Sequence, residues 1–257
     1  MIPFILLFAS QMIQPQTIRF HQNPVVAHRG AWKKNKHPEN SIASLREAIR
    51  LKCTGTEFDI RMTADEVLIV NHDPDYHEMP IEKTNYSQLA SVRLSNGEPL
   101  PTLENYLLEG MKDNPGTRLV LEIKPSPAGA ERGRQIAKKV FDLVNKLNAG
   151  AWASYISFDL EILKTIRALD PQASTQYLKG ELSPGQLKQD GISGLDYPFN
   201  VFRKNPGWIA EAKENKQSLN AWTVNTAEDL EWFTTQAFDF ITTNEPELLF
   251  DVLKSRE

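Results

Sequence analysis

The sequence predicts a (β/α)8 barrel, an α/β fold. Eight short apolar runs begin near residues 25, 56, 118, 152, 174, 193, 218 and 239, and a helical pattern follows each. Eight such units in roughly 250 residues match one closed barrel. A doubly wound sheet is the alternative. It usually carries a Gly-rich turn after its first strand, where this chain has His28-Arg29-Gly30.

Taken in order, Val25-Val26-Ala27 is the first strand. A polar loop over 33–37 and Pro38-Glu39-Asn40 lead into a helix that Asn40 or Ser41 can cap. Ile42, Leu45 and Ile49 share one face of that helix. Strand 56–61 then completes a βαβ unit with parallel strands. Residues 62–101 break the rhythm. Val67 to Val70 reads as a strand, but Pro74, Pro80, Pro99 and Pro101 mark an insertion with one short helix near 87–92. Helix 102–111 ends it. Strand 118–123 pairs with helix 128–147, 152–157 with 159–169, and 174–178 with 184–189. A strand at 193–197 is followed by a loop and helix 207–215. Strand 218–224 with helix 226–236, and strand 239–243 with helix 245–253, finish the chain.

The expected organisation is an N-terminal extension or signal segment over 1–22 and a barrel over 23–257. The chain of 257 residues, 40% hydrophobic and 24% charged, can bury one sizeable core. A net charge of -4 argues against non-specific nucleic-acid binding, which needs a basic surface. The single cysteine, Cys53, excludes an intrachain disulfide. Pro3 to Ala9 is apolar and reads either as a signal h-region or as an arm packed on the domain; no Lys or Arg precedes it. A signal over 1–11 would imply a periplasmic or secreted protein, its absence a cytoplasmic one. No later stretch reaches the ~18 apolar residues of a transmembrane helix, so stable membrane insertion of the barrel is not expected. Oligomeric state is not legible.

Barrel active sites sit at the C-terminal ends of the strands. His28, Arg29, Glu57, Asp59, His72, Glu122 and Lys124 fall at or near such ends. A lone histidine there is more often structural. Glu57 and Asp59, two apart on a strand, point the same way, and a barrel interior requires them to be paired or metal-bound. Glu122 adds a third inward carboxylate on the next barrel strand. Three converging carboxylates repel unless a cation sits among them. Oxygen-only ligation suits Mg²⁺, Ca²⁺ or Mn²⁺. The alternative is an acid cluster neutralised by Arg29 and Lys124. Two histidines, two cations and one hard metal suggest a phosphate-bearing small-molecule substrate. One histidine would take a proton from the attacking hydroxyl and the other would give one to the leaving oxygen.

The ordered set His28-Arg29-Gly30, Pro38-Glu39-Asn40, Glu57-x-Asp59, Thr63-x-Asp65, His72-Asp73, Glu122-x-Lys124, Trp222-Thr223-Val224-Asn225 and Thr243-Asn244-x-Pro246 resembles the glycerophosphodiester phosphodiesterase family. The resemblance spans roughly residues 24–250 and is specific only as an ensemble. It implies a (β/α)8 barrel with a small insertion after the second strand. It also implies cleavage of glycerophosphodiesters to glycerol 3-phosphate and an alcohol, through a cyclic phosphate. By resemblance His28 and His72 are the acid/base pair, and Glu57, Asp59 and Glu122 hold one divalent ion. Arg29 and Lys124 match phosphate-binding cations, Glu39 a position near the mouth, and Trp222 an aromatic wall beside the substrate. A barrel-core tryptophan is the plainer reading of Trp222.

The chain departs from the family pattern in the insertion. Tyr76-His77-Glu78 and Glu82-Lys83-Thr84 stand where members often carry Arg-Thr-Thr, and Ala64-Asp65-Glu66 replaces a Lys-Asp-Gly turn. These changes bear on the alcohol side of the substrate. His37 and His77 could line the mouth or be merely solvated. A phospholipase acting on lysolipids or phosphatidylinositol-type lipids is a second reading; it would expose Phe199, Val201 and Phe202 at the mouth. A catalytically silent barrel that binds glycerophosphoryl ligands is a third.

Overall fold

The computed structural model describes residues 18–256. The expected signal segment over 1–11 lies outside the described residues.

Strand β1 (Val25–Ala27), helix α1 (Ile42–Arg50) and strand β2 (Gly55–Met62) open the fold. The insertion follows: β3 (Leu68–Val70), the hairpin β4 (Asp75–Tyr76) and β5 (Met79–Pro80), a 3-10 turn at Ile81–Lys83, and α2 (Tyr86–Leu89). Then come α3 (Leu103–Met111), β6 (Arg118–Ile123), α4 (Ala130–Lys146), β7 (Ala153–Ser157) and α5 (Leu160–Leu169). β8 (Thr175–Tyr177), α6 (Pro184–Gln189), β9 (Gly194–Pro198), α7 (Phe199–Lys204) and α8 (Gly207–Glu214) continue it. β10 (Ser218–Trp222), α9 (Ala227–Thr235), β11 (Phe240–Thr243) and α10 (Pro246–Lys254) complete the chain.

Eight parallel strands close into a barrel. β1 pairs with β2 through Val26 opposite Gly55, and with β11 through Val25 opposite Ile241. β6 to β11 run around in sequence order. This is the (β/α)8 architecture that the alternation predicts. The helices start where small polar side chains cap them. Ser41, Thr102, Asp159 and Thr226 each accept from a backbone N–H of the first turn. Of the two candidate caps of α1, Ser41 takes the role and Asn40 is left for another.

Two apolar layers hold the barrel. Val25 and Ala27, and Leu119 and Leu121, face the surrounding helices. Val26 and Val120 alternate to the inside, where they meet Ile156 and Leu178. Polar pairs share that interior: Gln176 Nε2 donates to Ser218 Oγ at 2.7 Å.

Two expectations are corrected. The insertion is more ordered than its prolines suggest. β3 runs antiparallel to the upper half of β2, and Ile69, Tyr76, Ile81, Leu89 and Leu100 form a small core of their own. Those contacts join residues far apart in sequence, so no local period announces them. The expected loop after β9 is helix α7. Its six residues are too short to display a helical stripe, and burial of Phe202 against Phe233 and Phe238 fixes it.

Candidate active site

The site forms at the C-terminal end of the barrel. Asp59 on β2 stands in register with Glu122 on β6, and Glu57 lies one inward position below Asp59. Ligand oxygens of the three lie within 4.8 Å of one another. Lys124, just past β6, puts Nζ 2.7 Å from Asp59 Oδ1 and 2.7 Å from Glu122 Oε1. Asn40 donates from Nδ2 to Asp59 Oδ2 at 2.7 Å. Glu57 Oε2 accepts from the backbone N–H of Arg29 at 2.9 Å. Its Oε1 is buried with no donor.

Burial, with Asp59 and Glu122 nearby, pushes the Glu57 carboxyl well above the usual carboxylate range. Burial and Asp59 likewise push Glu122 up to about 7. Burial also opposes the charge of Asp59, but Lys124, His72 and Asn40 overcome it and bring Asp59 down to about 2. The three acids lie close enough to titrate as a unit, with Glu57 and Glu122 shifted up and Asp59 shifted down. Lys124 pairs with Asp59 and Glu122 and leaves Glu57 Oε1 without a donor. Arg29 is committed elsewhere: Nη1 donates to Glu39 at 2.6 Å, while Nε lies 3.7 Å from Asp59.

The histidines are held differently. His28 follows β1 directly, and its backbone N–H donates to Thr243 O on β11. Its Nδ1 is 2.7 Å from Asn244 Oδ1, so Nδ1–H donates and Nε2 carries the lone pair. Nε2 is 3.9 Å from Glu57. Burial, then the adjacent Arg29, lowers His28 to about 4, so it is neutral at neutral pH. His72 sits after β3 and is half-exposed, with Nδ1 2.7 Å from Asp73 Oδ1. Arg61 clamps the His72 carbonyl from Nε and Nη2.

A cavity of about 110 Å³ joins these groups. His28, Arg29, Glu57, His72, Glu122 and Lys124 form its polar side. Ile156, Phe158, Leu178 and Trp222 form an apolar side, where Phe158 meets Trp222 edge-on. Trp222 is thus a wall of the cavity. Asp59 reaches it through Lys124, and Glu39 through Arg29. His37 and His77 do not border it. Nor do Phe199, Val201 and Phe202: Phe202 is fully buried and the other two are half-buried against the same core. The apolar mouth that a lipid substrate would use is not built from them, because α7 turns those side chains inward.

Comparison with known families matches residues 28–248 to the glycerophosphoryl diester phosphodiesterase family. The chain belongs to that family. It is an enzyme, a hydrolase of phosphoric diesters. A glycerophosphodiester phosphodiesterase of Caldanaerobacter subterraneus is 28% identical over 248 residues, spanning 90% of this chain and 97% of that one. The crystal structure of a glycerophosphodiester phosphodiesterase from Parabacteroides distasonis is 38% identical, covers 93% of this chain and 99% of that one, and superposes with a TM-score of 0.88. An Oleispira antarctica phosphodiesterase solved with the product sn-glycerol-3-phosphate shares the fold at 19% identity and a TM-score of 0.76, over 91% of this chain and 97% of that one. Among the described residues of this family member, no helix is long and apolar enough to cross a membrane.

Sequence reading gave no role in the site to three polar residues of this hydrolase. Asn40 supports Asp59, and Asn244 supports His28. Asp196 borders the cavity from β9. Asn40 and Asn244 stand inside motifs that carry the family resemblance, and Asp196 is an acid set between Leu195 and Tyr197 in an apolar strand.

Proposed function

We propose that the enzyme hydrolyses glycerophosphodiesters to glycerol 3-phosphate and an alcohol, with one divalent ion held by Glu57, Asp59 and Glu122. The observation that carries this reading is the convergence of three carboxylates, two histidines and two cations on one small cavity. The donor set fits a hard ion: every candidate ligand is a carboxylate oxygen, and Glu57 Oε1 is buried without a donor. Mg²⁺ or Ca²⁺, with Mn²⁺ a third option, would supply electrostatic stabilisation of charge developing on the phosphoryl oxygens.

The chain's own residues do the rest. Arg29 and Lys124 border the cavity and bind the phosphoryl anion. Glu39 fixes the Arg29 guanidinium. Trp222 supports the carbon skeleton from the apolar side. His28, neutral with Nε2 unprotonated, takes the proton from the glycerol 2-hydroxyl as it attacks phosphorus. His72, at the more open side, gives a proton to the leaving alcohol oxygen. A cyclic phosphate results. Water then opens it, with His72 as base and His28 as acid. Release of glycerol 3-phosphate from glycerophosphocholine, lost in excess chelator and restored by Mg²⁺ or Ca²⁺, is the expected result. Normal turnover of a 2-deoxy analogue would replace the cyclic route by direct attack of water. Binding without turnover would favour the silent barrel, and preference for lysophospholipid would favour the lipase reading.

A further inference from the structure

One acid on the cavity wall has no part in that scheme. Asp196 lies in β9 between Leu195 and Tyr197, whose side chains belong to the outer core, so its own points into the barrel. It is 1% exposed and still borders the cavity. It stands outside the Glu57–Asp59–Glu122 cluster. Its Oδ1 is buried with no hydrogen-bond donor, which a settled structural acid would have. Asn220, its neighbour in register on β10, is turned to Thr242, donating at 3.0 Å and accepting at 3.2 Å. The Asp196 carbonyl accepts from Trp222 Nε1 at 2.9 Å, so one residue anchors the indole wall and presents beside it a carboxyl whose Oδ1 has no donor.

Burial, then Glu122, hold the Asp196 carboxyl well above the usual range, against a smaller lowering by the Asn220 side chain. A carboxyl in either protonation state offers an acceptor to a hydroxyl donor. Beside the apolar Ile156, Leu178 and Trp222, that acceptor suits the hydroxyl of an alcohol. Glycerophosphodiesters carry two free hydroxyls on glycerol. The 2-hydroxyl is the nucleophile, which leaves the terminal one to be recognised.

We propose that Asp196 is a specificity-determining residue whose carboxyl hydrogen-bonds the terminal hydroxyl of the glycerol moiety. The inference rests on the glycerophosphodiesterase reading above. A site built to hydrogen-bond a substrate hydroxyl rejects the analogue that lacks it, because the buried group is then left unpaired.

The test compares glycerophosphocholine with its analogue bearing a methyl in place of the terminal hydroxymethyl group, which keeps the nucleophilic 2-hydroxyl. The wild-type enzyme is expected to prefer the full substrate by about tenfold or more in kcat/KM. Asp196→Ala should lower kcat/KM for the full substrate by about that factor, leave the analogue nearly unchanged, and so collapse the preference. Equal use of both substrates by the wild type overturns the inference, whether or not the variant folds. So does a preference that survives in a folded Asp196→Ala enzyme. Failure of the wild type to cleave either substrate overturns the parent reading and this inference with it.

Discussion

The Oδ1 atom of Asn244 lies 2.7 Å from Nδ1 of His28. Asn244 is itself held by Asn225, whose Oδ1 accepts from the Asn244 backbone N–H at 2.9 Å. The chain therefore fixes one imidazole tautomer where the barrel closes between β1 and β11. Asn244→Ala should lower kcat by about 10- to 100-fold, the scale for losing the partner that orients a functional imidazole. Asn244→Asp puts a negative charge there and raises the His28 pKa above its present value of about 4. A base with a higher pKa is protonated at higher pH, so the acid limb of the kcat/KM profile should move upward. A profile identical to wild type would remove His28 from the role of base.

Metal binding should depend on pH in one direction. Glu57 and Glu122 are raised, Glu122 to about 7, so the metal-free cluster holds a proton as pH falls through that value. An ion must displace that proton. Mg²⁺ affinity should weaken below about pH 7, by up to roughly tenfold per pH unit for each proton displaced. Calorimetry in two buffers of different ionisation enthalpy would report the released proton. A pH-independent Kd with no proton release would place the ion elsewhere.

The site was legible in the sequence where one strand carries two groups. Glu57 and Asp59 follow from the two-residue period, and Glu122 from barrel adjacency, which the structure shows as register with Asp59. Support from outside that strand was not legible. Asn40 reads as a helix cap because asparagine caps well, yet its backbone takes a φ of 57° and its amide turns to Asp59. That choice depends on where β2 lies, which no local pattern encodes. The insertion core failed for the same reason: Ile69 and Leu100 meet only after the chain doubles back.

The turn that carries the first motif should tolerate no side chain at Gly30. Its φ is +81°, and a Cβ there would lie 2.4 Å from Ser44 Oγ and 2.7 Å from the Ser44 backbone carbon in α1. Gly30→Ala should cost about 1–2 kcal/mol for the left-handed backbone and about 1–3 more for overlap. At roughly 2–4 °C per kcal/mol for a chain of this size, Tm should fall by several degrees. Activity should fall too, because Arg29 lies in the same turn. An unchanged Tm would contradict the close approach to Ser44.

The division of labour between the histidines has a direct chemical test in the leaving group. His72 lies on the more open side of the site, where the departing alcohol can leave, with 38% of its side chain exposed against 17% for His28. An alkoxide leaves only if protonated, whereas nitrophenolate leaves unaided. His72→Ala should therefore slow alcohol release from glycerophosphocholine by about 10²–10⁴-fold, but slow nitrophenol release from glycerophosphonitrophenol far less. His28→Ala should slow both, because the 2-hydroxyl must be deprotonated whichever group departs. Nitrophenol release reads the first step alone. In the His72→Ala enzyme the cyclic phosphate should accumulate behind it, because the base that activates water is gone. If His72→Ala slows both substrates equally and no cyclic phosphate appears, His72 is not the acid. If the two variants show the reverse pattern, the roles are exchanged and the nucleophile is activated from the open side.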